Sequence, residues 1–213
     1  MNLGPIIILT LVAITPLSYA QSLWESNLAE EGRIPVAEGA WAANPAGLGI
    51  HLGIMQPAYQ NSEGKWVHVG VVKGIYWPFS VGFHFSSNEA ILAHQIGGWG
   101  QYSIFQQPKL PSAAIRLKYS KSFFGSAYTL ESKTGEFVIS YGIGPISLTA
   151  SQEVCHNHMK NLDPLDNRAE NSYLQYRTFG ATFQLAFPSK ISLTKTISSA
   201  GKSAVLTQMS FEI

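Results

Sequence analysis

From Leu48 onward the chain alternates. Leu48, Ile50, Leu52 and Ile54 interleave with Gly49, His51, Gly53 and Met55, a period of two that reads as a β-strand with one apolar face. A polar run, Gln60 to Gly64, closes a hairpin. Trp66 to Trp77 follows, with Val67, Val69, Val71 and Ile75 on one face and Trp66, His68, Gly70, Gly74 and Tyr76 on the other. Lys73 falls on the apolar face, which predicts either snorkelling to an interface or a bulge that shifts the register. Further strands are predicted at Ser80 to Ser86, Gly97 to Phe105, Ser112 to Ser120, Gly125 to Glu131, Glu136 to Gly142 and Pro145 to Gln152. The clearest is Ser172 to Phe187, where Phe179, Ala181, Phe183, Leu185 and Phe187 alternate with Gly180, Thr182, Gln184 and Ala186. Pro188 to Lys190 turns into Ile191 to Ile197, and Ser198 to Lys202 leads to the last strand. There Val205, Thr207, Met209, Phe211 and Ile213 face away from Leu206, Gln208, Ser210 and Glu212.

An apolar face repeated on strand after strand predicts an all-β fold, a transmembrane antiparallel barrel with lipid on its outside. The segments total eleven, and a single-chain bacterial barrel has an even number of strands; about ten is expected, within a range of eight to twelve. A periplasmic carboxyl end would put Glu153 to Asn171 in a long outer loop and Pro188 to Lys190 in a tight inner turn. Upstream, an apolar run from Ile6 to Ile14, a break at Pro16 and Ser18-Tyr19-Ala20 before Gln21 read as an export signal cleaved after residue 20. Residues 21–46 differ from the rest: Leu23, Trp24 and Leu28 sit at helical spacing until Gly32 and Pro35 break the pattern. They are expected to form a short periplasmic or plug segment, with the barrel over 47–213.

Composition sharpens this picture. Charged residues are 13% of the chain, against about 25% in ordinary soluble domains, and aromatics are 12%. A net charge of +1 without a basic stripe argues against nucleic acid. Cys155 is the only cysteine, so no intramolecular disulfide staples the fold. The expected partners are outer-membrane lipid and small hydrophobic molecules; no cofactor is expected, and the barrel is expected to be monomeric.

Asn44-Pro45-Ala46-Gly47-Leu48, preceded by Glu38-Gly39-Ala40-Trp41-Ala42, resembles the segment that opens the barrel in long-chain fatty-acid transporters of the outer membrane and in barrels of the type IX secretion apparatus. The resemblance implies an outer-membrane barrel and the start of an early strand. Physically, Asn44 and Pro45 initiate a turn and Gly47 permits a positive φ. His84-Phe85-Ser86-Ser87-Asn88 is similar to the His-x-Ser-Asn segment of outer-membrane lipid A deacylases. A serine nucleophile needs a base, and His84 and Ser86, two apart on a strand, share a face; Glu89 is the nearest acid.

Two further clusters are candidates for chemistry. His51, His68 and His84 all fall on the face opposite the aliphatics, hence inside the barrel. A first hairpin centred near residue 59 or 60 makes His51 and His68 direct or diagonal cross-strand neighbours, with His84 at another level. Cys155, His156 and His158, followed by Asp163, Asp166 and Glu170, carry thiolate and imidazole groups of the kind that hold Zn or Cu. The expected function is a small transport or structural barrel with a narrow lumen lined by Gly49, His51, Gly53, His68, Gly70 and Tyr76. A lipid-modifying hydrolase using His84 and Ser86, and a cell-surface adhesion or binding barrel, are the alternatives.

Overall fold

The computed structural model describes residues 39–40, 43, 46–57, 64–106, 111–126, 128–162, 169–186 and 188–213. The export signal, Trp24, Leu28, Asn44, Pro45, most of the first hairpin loop, Asp163, Asp166 and Phe187 lie outside them. Ten strands form one closed antiparallel barrel, each paired with its neighbour in the chain and the last with the first. They are β1 (Leu48–Pro57), β2 (Trp66–Tyr76), β3 (Phe79–Asn88), β4 (Ala93–Phe105), β5 (Ser112–Phe124), β6 (Tyr128–Ile143), β7 (Ile146–Asn161), β8 (Ala169–Ala186), β9 (Ser189–Ser198) and β10 (Ser203–Glu212). The seam closes at the carboxyl end, where Leu48 and Ile213 exchange two backbone hydrogen bonds of 2.9 Å. Closure gives every strand a partner on both sides, as lipid requires because it cannot solvate an open edge.

Alternation decides inside from outside. Leu52, Ile54, Val67, Val69, Phe83, Phe85, Ile96, Leu117, Phe183 and Leu193 all stand exposed on the outer surface. A continuous apolar exterior of this extent is what lipid requires and water penalises. The inner positions are polar: serines 80, 86, 103, 112, 120, 122, 132, 140 and 151 are all buried. This is a protein turned inside out relative to a soluble barrel.

Three expectations change. Gly125 to Glu131 and Glu136 to Gly142 are one strand, β6, because Ser132 to Gly135 pair on both sides, with Lys118–Ser120 and Leu117 of β5 and with Val154–Asn157 of β7. That removes the odd eleventh element. The expected outer loop over Glu153 to Asn171 is mostly strand, since β7 runs to Asn161 and β8 starts at Ala169. Tyr76 points outward and is 59% exposed, so it does not line the lumen. The register shifts between Gly74 and Tyr76, which turns Tyr76 over onto the lipid side. There it packs edge-on against Phe79 at 5.1 Å, and Phe79 against Tyr102 at 5.0 Å between ring centroids. These rings form an aromatic cluster at the end of the barrel where the chain terminus lies, as expected of an interface girdle. Lys73, near the same end, is exposed on the outer face.

Candidate functional site

The interior is built from side chains that inward alternation alone supplies. On the β1–β4 wall, His51 pairs in register with Gly70, and Gly53 with His68, so the two histidines are diagonal neighbours. Their rings meet edge-on with centroids 6.0 Å apart. Each ring lies over the glycine of the other strand: a Cβ on Gly53 would collide with the His68 ring, and one on Gly70 with the His51 ring. These glycines thus make room for imidazoles rather than for an open channel. Gly70→Ala is expected to cost about 1–3 kcal/mol by overpacking. Its Cβ would also sit 2.8 Å from the Phe83 backbone oxygen, and a urea titration of the folded barrel measures the loss.

His84 pairs with Gly70 and so stands in the same cross-strand row as His51, not at another level. Its Nε2 and Gln95 Oε1 are hydrogen-bonded at 3.1 Å, and Gln95 Nε2 donates to Ser122 at 3.1 Å. Ser86 is buried beside it, yet its hydroxyl makes no hydrogen bond. His84 is therefore engaged by Gln95, and it is not placed as a base against a Ser86 nucleophile. His68 Nε2 bonds Gln208 Oε1 at 3.1 Å across the seam.

Cys155, His156 and His158 are all on β7, where alternation separates them. Cys155 faces inward, receiving a hydrogen bond from Thr134 Oγ1 at 3.1 Å and donating to Asn157 Oδ1 at 3.2 Å. His156 and His158 face outward, against Tyr173 at 4.7 Å between centroids and Asn171 Oδ1 at 2.9 Å. One ion cannot bridge opposite faces of a sheet, and the described residues contain no cluster of metal-ligating side chains.

The centre of the interior is a group of charges that no local pattern marks. Arg116 of β5 is fully buried and donates from Nη1 to Glu136 Oε2 of β6 at 2.9 Å. Its Nε and Nη2 donate to Gln101 Oε1 at 3.1 and 2.7 Å, and its guanidinium stands 5.1 Å from the Trp99 ring centroid. Lys118 reaches Glu136 at 3.3 Å and Glu153 of β7 at 2.5 Å. Two cations and two carboxylates thus neutralise each other, the arrangement a dry interior demands of buried charge.

Toward the other end from the terminus, Met55, Trp66, Ala93, Phe124, Leu130, Met159 and Leu206 meet as an apolar cluster inside the barrel. Toward the terminus lies a cavity of about 670 Å³. Val72, Trp99, Ile146 and Phe211 are among its apolar lining, and Ser80, Ser147, Thr182, Gln184, Ser192 and Gln208, with the charged Lys190 and Glu212, among its polar lining. Gly47, just before β1, lines the same cavity. Gly39, Ala40 and Ala43 are held inside the lumen here. Ala43 N–H donates to Ser80 Oγ and Ala40 N–H to Ser140 Oγ, both at 2.8 Å. Ser103 Oγ donates to the Ala40 carbonyl at 3.0 Å, and Arg116 Nη2 to that of Gly39 at 3.3 Å. Ala40 is wholly buried against Ala114 and Val138.

Neither a protein-family model nor a curated protein matches the chain. Among solved structures it is similar to the KdgM porin, with a TM-score of 0.41 at 7% identity, covering 76% of this chain and 98% of that one. It is also similar to a loop-deletion mutant of OmpT, an outer membrane protein of Vibrio cholerae, with a TM-score of 0.38 at 6% identity over 76% and 62% of the two chains. The N-terminal β-barrel domain of Pseudomonas aeruginosa OprF gives 0.36 at 8% identity over 78% and 97%.

Proposed function

We propose that this chain is an outer-membrane barrel that is closed to free diffusion and holds a small, largely hydrophobic molecule in its terminus-side cavity. The periplasm faces that cavity, because three of the four connections at the terminus end, 77–78, 144–145 and 187–188, have two residues and only 106–111 is longer, the usual inner-side asymmetry. Burial across the interior carries the reading: Trp66, Arg116, Tyr176, Leu130, Leu174, His68, Gln95 and Gln208 are among the largest fully buried side chains. A water-filled pore would leave its lining wet. Residues 21–46 act as a plug on this reading, and the lumen contacts of Gly39, Ala40 and Ala43 support it. The mature protein in a planar bilayer should hold a flat baseline, and native mass spectrometry should find a retained small molecule that is lost in Ser147→Trp, which fills the cavity. Stable porin-like current steps in most insertions would overturn the closed barrel and restore passive transport, the second reading.

A further inference from the structure

The strands are unequal. β6 and β7 have 16 residues and β8 has 18, whereas β1, β3, β9 and β10 have 10. All reach the terminus end, so the long strands overshoot at the other by about six residues, roughly 15 Å along the axis at the usual tilt and rise. On their outward face the chemistry changes within two rows. Leu117, Gly135 and Val154 form one row; Tyr119, Lys133, His156 and Tyr173 form the next; Lys121, Glu131, His158 and Asn171 follow, and Lys160 lies beyond. Tyr119 is 46% and Tyr173 68% exposed, the placement of aromatic rings at a membrane boundary.

Among the described residues, cations outnumber acids on the outward face from the tyrosine row on. Lys121 pairs with Glu131 at 3.0 Å, while exposed Lys133 and Lys160 have no carboxylate partner among the described residues. His156 and His158 fill the space between them. The bias is greatest on these strands, since the outward residues of β1 to β4 at the same end are Gln56, Val67, Ser87 and His94, with Lys65 just before β2. Cations just past a girdle, continuous with a lipid-covered face, sit where lipid headgroups carry their phosphates.

We propose that Lys133, His156, His158 and Lys160, beside the Lys121–Glu131 pair, bind the phosphorylated headgroups of lipid in the outer leaflet. This rests on the membrane placement above. The test reconstitutes the mature protein into phosphatidylcholine nanodiscs containing either bisphosphorylated lipid A or its dephosphorylated form, and counts lipids retained by native mass spectrometry. The phosphorylated form should be retained several-fold better. Lys133→Gln with Lys160→Gln should abolish that preference, and Lys65→Gln with Lys195→Gln should not. Equal retention of the two lipids, or an unchanged preference in the first pair, would overturn the surface. Displacement by inorganic phosphate as readily as by lipid would show a free-anion site instead. A boiling-dependent gel shift in the same preparations separates the two premises: without the shift the membrane barrel itself falls, and with it a missing preference removes only this surface.

Discussion

Arg116→Ala should destabilise the barrel by about 3–5 kcal/mol, the usual consequence of removing one partner from a buried ion pair. Arg116 holds Glu136 at 2.9 Å, and its loss leaves that carboxylate to Lys118 at 3.3 Å, which also serves Glu153 at 2.5 Å. One ammonium would then face two buried carboxylates. The two Gln101 bonds and the stacking on Trp99 go as well. Arg116→Met combined with Glu136→Leu should cost less than Arg116→Ala alone, because the double change leaves no orphaned charge. Urea unfolding of the reconstituted barrel reads both. A loss under about 1 kcal/mol for Arg116→Ala would mean that water screens the cluster as it does a surface pair, and the closed interior would have to be abandoned.

Depth along one face provides the second large effect. Phe83, near the middle of β3, is 63% exposed on the outer surface between Val81 and Phe85. Phe83→Arg should cost about 2–4 kcal/mol, since it puts a guanidinium into the hydrocarbon midplane. Tyr173→Arg, equally outward but on the overshooting part of β8, should cost about 0–1 kcal/mol, as charges near the interface do. Phe183, three residues from the terminus end of its strand, should fall between them. Similar losses at Phe83 and Tyr173 would show that the exterior is not graded by lipid.

The sequence by itself determined which side of each strand meets lipid, because a β-strand writes that choice in residues two apart. It also determined that His51 and His68 adjoin, since a hairpin register depends only on the chain between them. It lost the thread where both faces become polar: Glu153 to Asn161 shows no apolar stripe, and a strand there reads as a loop. Lys73 on the apolar face hints at the one-residue bulge but does not say where the register slips, so the alternation puts Tyr76 on the wrong face. Only the tertiary structure decided that Arg116, Lys118, Glu136 and Glu153 meet. Their contact depends on the registers of β5 with β6 and β6 with β7, and on closure excluding water, which makes neutralisation obligatory. It alone decided, too, that Cys155 and its neighbouring histidines part to opposite faces, and that Gly39 and Ala40 are tied inside the lumen. Pairing between strands fixes those outcomes, and no local run of residues contains it.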